Sequence, residues 1–458
     1  MTVSNSNKQY PRFFYKSFSF RKKGNNLFLS FEFFTEPNLY FKPELVIFNL
    51  PQYTQNLDKD LLNNLVFHLG LIEILSYWKA TCSPEIIIEA GYLNKKQISW
   101  WHNLILKGMG EFFYTNQIDF KRKNFLTIKN AHLKTKFTRK TEKAGLNSKT
   151  FLVPFAGGKD SIVTAQLLKK NKEDFRLFCL NPTSSCLKSI ELITTKQPII
   201  VQRTIDPQLL ELNKRGYLNG HTPFTAYLSF LGVICTVLFD CGTVIFSNER
   251  SANEGNLIYR SQMINHQYSK SWEFEKKFSR YCRKYLIQVN YLSLLRPLYE
   301  IQITKIFSRY PQYFGHFKSC NVGQKENIWC QHCAKCLATF TLLYPFISQK
   351  KIIEIFGINL LDEKDNLPIL KKLLGTVGFK PFECVPTKEE VKSALYLAYK
   401  KDQKNKYKLS LALRYFKSRY FPEFKYLQKS AKEILNSWGK NHSLTKRLTK
   451  VLKEAMRG

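Results

Sequence analysis

Long unbroken apolar runs are missing from this chain, and no membrane-spanning helix is expected. The longest apolar run, FTAYLSFLGVICTVLF at 224–239, is about 16 residues against the ~20 a span requires, and it carries Thr, Tyr, Ser and Gly before ending at Asp240. A buried helix feeding the strand TVIFS is expected there, without membrane insertion. The N-terminus, MTVSNSNKQYPRFFYKSFSF, has no small-residue cleavage site behind an apolar core, so no secretory signal is expected. Internal repeats and low-complexity blocks are missing too, and a hydrophobic content of 44% excludes a disordered chain. The cysteines argue against a disulfide framework. They number 11, which is odd; four fall between Cys320 and Cys336, and the rest are scattered singly. Without a signal peptide, that pattern points to metal ligation in a reducing cytoplasm.

Acidic residues are scarce. Only 35 Asp+Glu face 71 Lys+Arg, a formal charge of +36. Such an excess suits an anionic partner: a phosphorylated substrate, nucleic acid or a membrane surface. The lysines are spread along the chain, however, and its richness in Lys, Asn, Ile, Phe and Tyr is also that of an AT-biased coding sequence. The charge alone does not call for nucleic acid.

Three regions are expected. Residues 1–148 mix short β-like runs (LFLSFEFF, ELVIFNL) with a helix from about Asp60 to Ala80, an N-terminal α+β domain ending in the basic linker KTKFTRKTEKAGLNSKT. Residues 149–345 alternate strands (FLVPF, FRLFCLNP, PIIVQRTID, TVIFSNE) with helices (SIVTAQLLKK, Phe224–Phe239, KSWEFEKKFSRYCRKYL, IQITKIFSRYP). The expected fold class is α/β, a doubly wound parallel sheet that binds ligands at the carboxyl ends of its strands. Residues 346–458 are basic and helical, with aromatics (LALRYFKSRYFPEFKYL) spaced for packing rather than for stacking on nucleic acid.

Between the first strand and helix of the second region lies AGGKDS, 156–161. Gly157 and Gly158 allow a tight turn and close approach to a ligand, and the following helix start offers free N–H groups to an anion. Lys159 adds charge, and Ser161 can cap the helix and donate to a phosphate. Asp160 is out of place at a bare anion site but suits one where Mg²⁺ bridges to phosphates. The order Lys-Asp excludes the Walker A pattern, GxxxxGK[ST]. Further on, SCNVGQKENIWCQHCAKC spaces Cys320, Cys330, Cys333 and Cys336 as C-x9-C-x2-C-x2-C. Four thiolates fill a tetrahedral zinc and leave no open position, so a structural site is expected, with an iron–sulfur cluster as the competing metal and His332 as a substitute ligand.

The order strand, xGGxDS, helix resembles the PP-loop of the N-type ATP pyrophosphatases (adenine nucleotide alpha hydrolase-like), with Ala156 in place of the usual leading serine. The cysteine cluster resembles the zinc site of 7-cyano-7-deazaguanine synthases. Three further stretches, His68–Asn116, Phe246–Glu275 and Tyr291–Phe307, make the chain similar to the MurL family, the UDP-N-acetyl-α-D-muramoyl-L-alanyl-L-glutamate epimerases of peptidoglycan synthesis. The resemblance covers about residues 40–350.

It implies a cytoplasmic enzyme that uses ATP and Mg²⁺ to adenylate the terminal L-Glu of a UDP-muramoyl dipeptide, epimerises it to D-Glu and releases AMP and diphosphate. On this reading Gly157, Gly158, Lys159 and Ser161 cradle pyrophosphate and Asp160 holds Mg²⁺. Asn248, Glu249, Ser251, Asn253 and Glu254, in SNERSANEGN after a strand, are expected at the site; a loop capped by its own Asn and Ser side chains is the plainer alternative. Arg250 departs from the aromatic expected there. Arg296 is expected to meet the α-phosphate, a substrate carboxylate or an interior acid. For the proton-transfer base, His266 and His221 are the imidazoles nearest the matched loops, and Glu254 and Lys270 are further candidates. GMGEFFY, 108–114, either faces the site or is a packed turn. Two other PP-loop functions remain open: a 7-cyano-7-deazaguanine synthase-like enzyme, which would be about half as long, and a tRNA-modifying enzyme, whose binding would be steeply salt-dependent.

Overall fold

The computed structural model describes residues 9–132, 146, 149–323 and 326–457. Most of the basic linker expected at 134–150 lies outside the described residues. Eleven strands form one sheet: β1 (Arg12–Lys23), β2 (Asn26–Thr35), β3 (Leu39–Phe41), β4 (Glu44–Ile47), β5 (Glu85–Ile88), β6 (Thr127–Asn130), β7 (Phe151–Pro154), β8 (Phe175–Leu180), β9 (Ile199–Thr204), β10 (Thr243–Phe246) and, after the small hairpin β11 (Leu257–Tyr259) and β12 (Gln262–Ile264), β13 (Asn290–Ser293). The order is β13-β10-β7-β8-β9-β4-β2-β1-β5-β6, with β3 beside β2.

The first five strands in that order are parallel. The sheet as a whole is mixed rather than purely parallel. A two-residue loop at Gly24-Asn25 folds β1 back on β2, so this pair must be antiparallel. β4 then pairs antiparallel with β9, which joins the N-terminal strands to the parallel set in one sheet. Among the parallel strands the chain moves outward from β7 through β8 to β9, then returns to the other side of β7 for β10 and β13. The gap between the ends of β7 and β10 is therefore a topological switch point, where open α/β sheets leave a crevice.

Both sheet faces are covered, which is why these strands are apolar at nearly every position. Leu152, Phe178, Val244 and Tyr291 belong to one core, and their chain neighbours Val153, Leu177, Ile245 and Leu292 to another. Helices α1 (Lys59–Trp78), α2 (Lys95–Gly108) and α3 (Gly110–Thr115) serve the first core, and α4 (Lys159–Lys170) the second. Helix α5 (Ser184–Ile193) packs on α4, and α6 (Phe224–Leu238), the apolar run noted above, packs on α1. By length and composition α1 is apolar enough to cross a membrane, but 78% of its most apolar window is buried inside the protein.

Helix α7 (Trp272–Tyr285) joins the first core and precedes β13. From Glu300 onward the described elements are all helical, with α8 (Glu300–Phe307), α9 (Ala334–Leu343) and α10 (Lys388–Lys404) in the second core. There Phe416 is fully buried and Phe424 contacts the rings of Phe416, Tyr396 and Tyr399, so most of the expected aromatic spacing serves packing.

Candidate active site

The loop from β7 into α4 turns at Gly157, whose φ is 74°. A Cβ there would lie 3.0 Å from the Cα of Cys186, so glycine is required both by conformation and by space. Gly158 is the N-cap of α4, and no side chain accepts from the first-turn amides. The Ser161 hydroxyl does not cap the helix as expected; it sits inside the first turn and donates to the Gly158 carbonyl at 2.9 Å. The helix start is thus left for a ligand.

It opens into a cleft of about 310 Å³ at the switch point. Gly158, Asp160 and Ser161 line it from the β7 loop, and Asn248 and Glu249 from the loop after β10. Phe155, Phe178 and Phe246 provide apolar wall, while Lys270, Lys318, Lys335 and Cys384 arrive from later elements.

Lys159 points away from the cleft. Its side chain is 1% exposed, and its ammonium lies 2.6 Å from Asp160 Oδ1 and 2.9 Å from Glu300 Oε1. Burial alone would lower its pKa; the two carboxylates more than reverse that and raise it. Glu300 also accepts from Lys335 at 3.1 Å. Burial opposes its ionisation, but the two lysines hold its carboxyl down at about 2. The chain Asp160–Lys159–Glu300–Lys335 therefore holds the Asp160 carboxylate in position from behind. Glu249 is different. Burial, aided by Asp160 and Glu300 and only partly offset by Lys270, pushes its carboxyl up to about 7.

The rest of the loop after β10 is mostly structural. Ser251 Oγ accepts from Glu300 N at 2.9 Å. Asn253 accepts from Trp272 N and donates to Arg250 O, the self-capped arrangement considered above. Asn253 and Glu254 line a separate outer depression, where Glu254 lies 3.7 Å from Lys380. Arg250 is there too, stacked over the Tyr299 ring. Arg296 has found an interior acid: its Nε and Nη2 donate to Glu275, its Nη1 to Glu249 O at 2.7 Å and its Nη2 to Lys270 O at 2.6 Å. It positions two cleft residues through their carbonyls.

His266 is not among the residues that line the cleft. Its Nδ1 bonds to Glu111, and its ring lies near enough to Cys384 for imidazolium and thiolate to stabilise each other. Burial would lower its pKa, but Cys384 and Glu111 raise it to about 9. His221 stacks near it, with ring centroids 4.4 Å apart and Nδ1 3.7 Å from Glu111; burial and the neighbouring cations push its pKa well down. Cys384 Sγ lies 3.2 Å from Lys270 Nζ. Burial would raise that thiol; Lys270 and His266 lower it to about 5.

Sequence reasoning missed Cys384, Glu300, Lys335 and Glu111. The first is a single thiol in a segment without periodicity. Glu111 was within reach, in GMGEFFY. The glycines there are indeed packed, since Cβ atoms at Gly108 and Gly110 would crowd Pro223 and Ile264, while Glu111 reaches His266.

The Sγ atoms of Cys320, Cys330, Cys333 and Cys336 lie within 4.8 Å of one another, and Cys330 and Cys336 are 3.8 Å apart. A tetrahedral zinc with bonds of ~2.3 Å needs sulfur edges of about 3.8 Å, so the donor set fits. Backbone N–H groups of Gly323, Cys330 and Cys336 point at Cys320 and Cys333 sulfurs, which suits thiolates. His332 is exposed and stands outside this group. Cys333 is also the N-cap of α9, whose first amides, on Ala334 and Lys335, are held by Glu383. The cysteine cluster thus anchors the helix that carries Lys335 and the residue preceding Cys384.

Residues 4–294 match the model of the MurL N-terminal domain, and residues 316–419 that of the MurL C-terminal domain. Three similar proteins, each named UDP-N-acetyl-alpha-D-muramoyl-L-alanyl-L-glutamate epimerase, come from Xanthomonas oryzae pv. oryzae, Micromonospora sp. and Salinispora tropica. The first is 34% identical over 346 residues, covering 71% of this chain and 72% of its own. The other two are each 33% identical, covering 73% and 72% of this chain and 74% and 72% of their own. The chain belongs to the MurL family.

Proposed function

We propose that this protein is an ATP-dependent epimerase that inverts the terminal L-Glu of UDP-N-acetylmuramoyl-L-alanyl-L-glutamate to D-Glu in peptidoglycan synthesis. The observation that carries the reading is the uncapped start of α4, opening beside Asp160 into a switch-point cleft, together with the activity named for its relatives. On this reading the fold is that of a PP-loop ATP pyrophosphatase. The Gly157-Gly158 backbone and Ser161 receive the phosphates, and Phe155, Phe178 and Phe246 offer an apolar surface to the adenine. Asp160 is the residue to hold Mg²⁺, which neutralises phosphate charge when bound. Lys270, Lys318 and Lys335 give the cleft the positive field that a UDP-linked dicarboxylate calls for.

An epimerase has a physical reason to use ATP. The α-proton beside an ionised carboxylate is very weakly acidic, because the existing negative charge resists a second. Joining the carboxylate to AMP removes that charge and makes the carbonyl electron-withdrawing. The α-proton then becomes removable, and return of a proton to the other face followed by hydrolysis gives D-Glu and AMP. The four cysteines would hold a structural zinc, for which their sulfur spacing is suited.

The test is to incubate the protein with ATP, Mg²⁺ and UDP-N-acetylmuramoyl-L-alanyl-L-glutamate, hydrolyse the product, and assay for D-Glu and AMP. Substrate-dependent appearance of both is expected; absence of both overturns the reading.

A further inference from the structure

We propose that Cys384 is the group that removes the glutamate α-proton, held ready by Lys270 and by the pair His266–Glu111. The proposal rests on the epimerase reading above and names the base that the reading leaves open. Cys384 lines the same cleft as Asp160, Ser161, Asn248 and Glu249, so one bound acyl-adenylate can meet the phosphate loop and the sulfur together. Neighbouring charges and contacts build the surroundings of this thiol. Lys270 Nζ stands 3.2 Å from Sγ. The His266 imidazolium, itself held by Glu111, adds positive charge beside the sulfur. Lys335 donates to the Cys384 carbonyl, and Glu383, one residue before, is bound to the first amides of α9.

Nearby cations keep a thiolate available. Here the Lys270 ammonium contacts the sulfur directly, and the imidazolium oriented by Glu111 adds to the positive field. The lowered thiol pKa, at about 5, agrees with this geometry. His266, favoured from sequence, does not line the cleft, and Glu254 lies in the outer depression. Both are displaced as direct bases; His266 becomes a positioning residue.

The Cys384 thiolate takes the α-proton and becomes a thiol. The electron pair of the C–H bond moves into the bond between the α-carbon and the acyl carbon, and the carbonyl oxygen takes up the negative charge as an enolate. A proton from the Glu249 carboxyl then adds to the other face, and the enolate pair returns to the new C–H bond. Glu249 lines the cleft with its carboxyl raised to about 7, so it holds a proton through much of the neutral range. Water then cleaves the D-configured adenylate to D-Glu and AMP, and proton exchange with solvent resets Cys384 and Glu249.

The experiment compares wild type with Cys384→Ala and Cys384→Ser in D₂O. It follows three readouts: D-Glu formation, deuterium incorporation at the glutamate α-carbon, and substrate-dependent pyrophosphate–ATP exchange, which reports adenylation without proton transfer. Both variants are expected to lose D-Glu formation and deuterium incorporation by about 10²–10⁴-fold, the range for removal of a general base, while still supporting pyrophosphate exchange. Epimerisation within a few-fold of wild type, or loss of pyrophosphate exchange along with it, overturns the proposal. Failure of the epimerase reading itself shows separately, as absence of D-Glu and of exchange in the wild type.

Discussion

The Lys159 ammonium lies 2.9 Å from the Glu300 carboxylate, and the two side chains are 1% and 2% exposed. A lysine beside a glycine loop looks like a phosphate ligand, yet this one is spent inside the protein. Removing either partner halves the buried compensation: without Glu300, Lys159 keeps Asp160, and without Lys159, Glu300 keeps Lys335. Glu300→Gln is therefore expected to destabilise the fold by about 1–3 kcal/mol, and Lys159→Met by a similar amount. Thermal or urea unfolding checks this. A loss of less than about 1 kcal/mol would mean that the pair is solvated in solution.

Asp160 is held by Lys159 from behind and reaches the cleft with its carboxylate 28% exposed. Asp160→Ala is expected to abolish both AMP and D-Glu formation, with a loss of at least about 10²-fold, the scale of removing one electrostatic contributor. The fold should survive, because Lys159 keeps Glu300. Product formation near the wild-type rate would show that the loop does not serve ATP.

Gly157 offers a test of the loop backbone. Alanine there would have to adopt φ 74° with its Cβ 3.0 Å from Cys186 Cα. Gly157→Ala is expected to cost about 1–3 kcal/mol of stability or to shift the loop. A matching rise in KM for ATP is the kinetic check. At Gly216, also at positive φ but with nothing within 4 Å of the added Cβ, alanine should leave KM untouched.

Much of the parallel sheet could be read from sequence because β7, β8, β9 and β10 are short apolar runs bounded by turns. β13 was passed over: Asn290–Ser293 is four residues long and merges into the apolar LLRPL that follows. The joining of the N-terminal strands to the same sheet was hidden, since it depends on β4 meeting β9 across distant sequence. The cleft shows the same division. Gly158, Asp160, Ser161, Asn248 and Glu249 sit at strand ends that a sequence reading can locate. Lys159 was misplaced because its partner, Glu300, belongs to a helix far along the chain. Arg296 could only be placed by finding Glu275, and Cys384 by following Glu383 onto the start of α9. Local pattern locates loops; which side chain turns inward is decided by nonlocal partners.

The cysteine cluster gives a stoichiometric prediction. Metal analysis of purified protein should find about one zinc per chain, and a strong chelator or Cys330→Ser should lower thermal stability. Because α9 carries Lys335 and is tied to residue 383, metal loss should also reduce activity before global unfolding. Full activity with no metal bound would exclude a structural role for the cluster.

A pH effect on stability should come from His68, far from the cleft. Its ring is buried in α1, with Nδ1 2.8 Å from Asn64 O and Nε2 3.0 Å from Tyr281 OH. Trp101 Nε1 and Gln97 Nε2 both donate to that hydroxyl, which leaves its own hydrogen for His68 Nε2. The ring is therefore neutral, a donor at Nδ1 and an acceptor at Nε2, and it links α1, α2 and α7. Burial lowers its pKa from 6.5 to about 4. In the unfolded chain it protonates as pH falls through 6.5; in the folded protein it resists until about 4. Protons thus favour the unfolded state across this window. The His68 contribution is fully present above pH 6.5 and is lost as pH falls towards 4, by roughly 3 kcal/mol for a shift of this size. Urea unfolding of wild type and His68→Gln at pH 7, 6, 5 and 4.5 isolates this term from the carboxylates that titrate in the same range. Wild type should lose stability more steeply than the variant. Parallel curves would mean that the ring is already charged in the folded protein or that its burial is relieved.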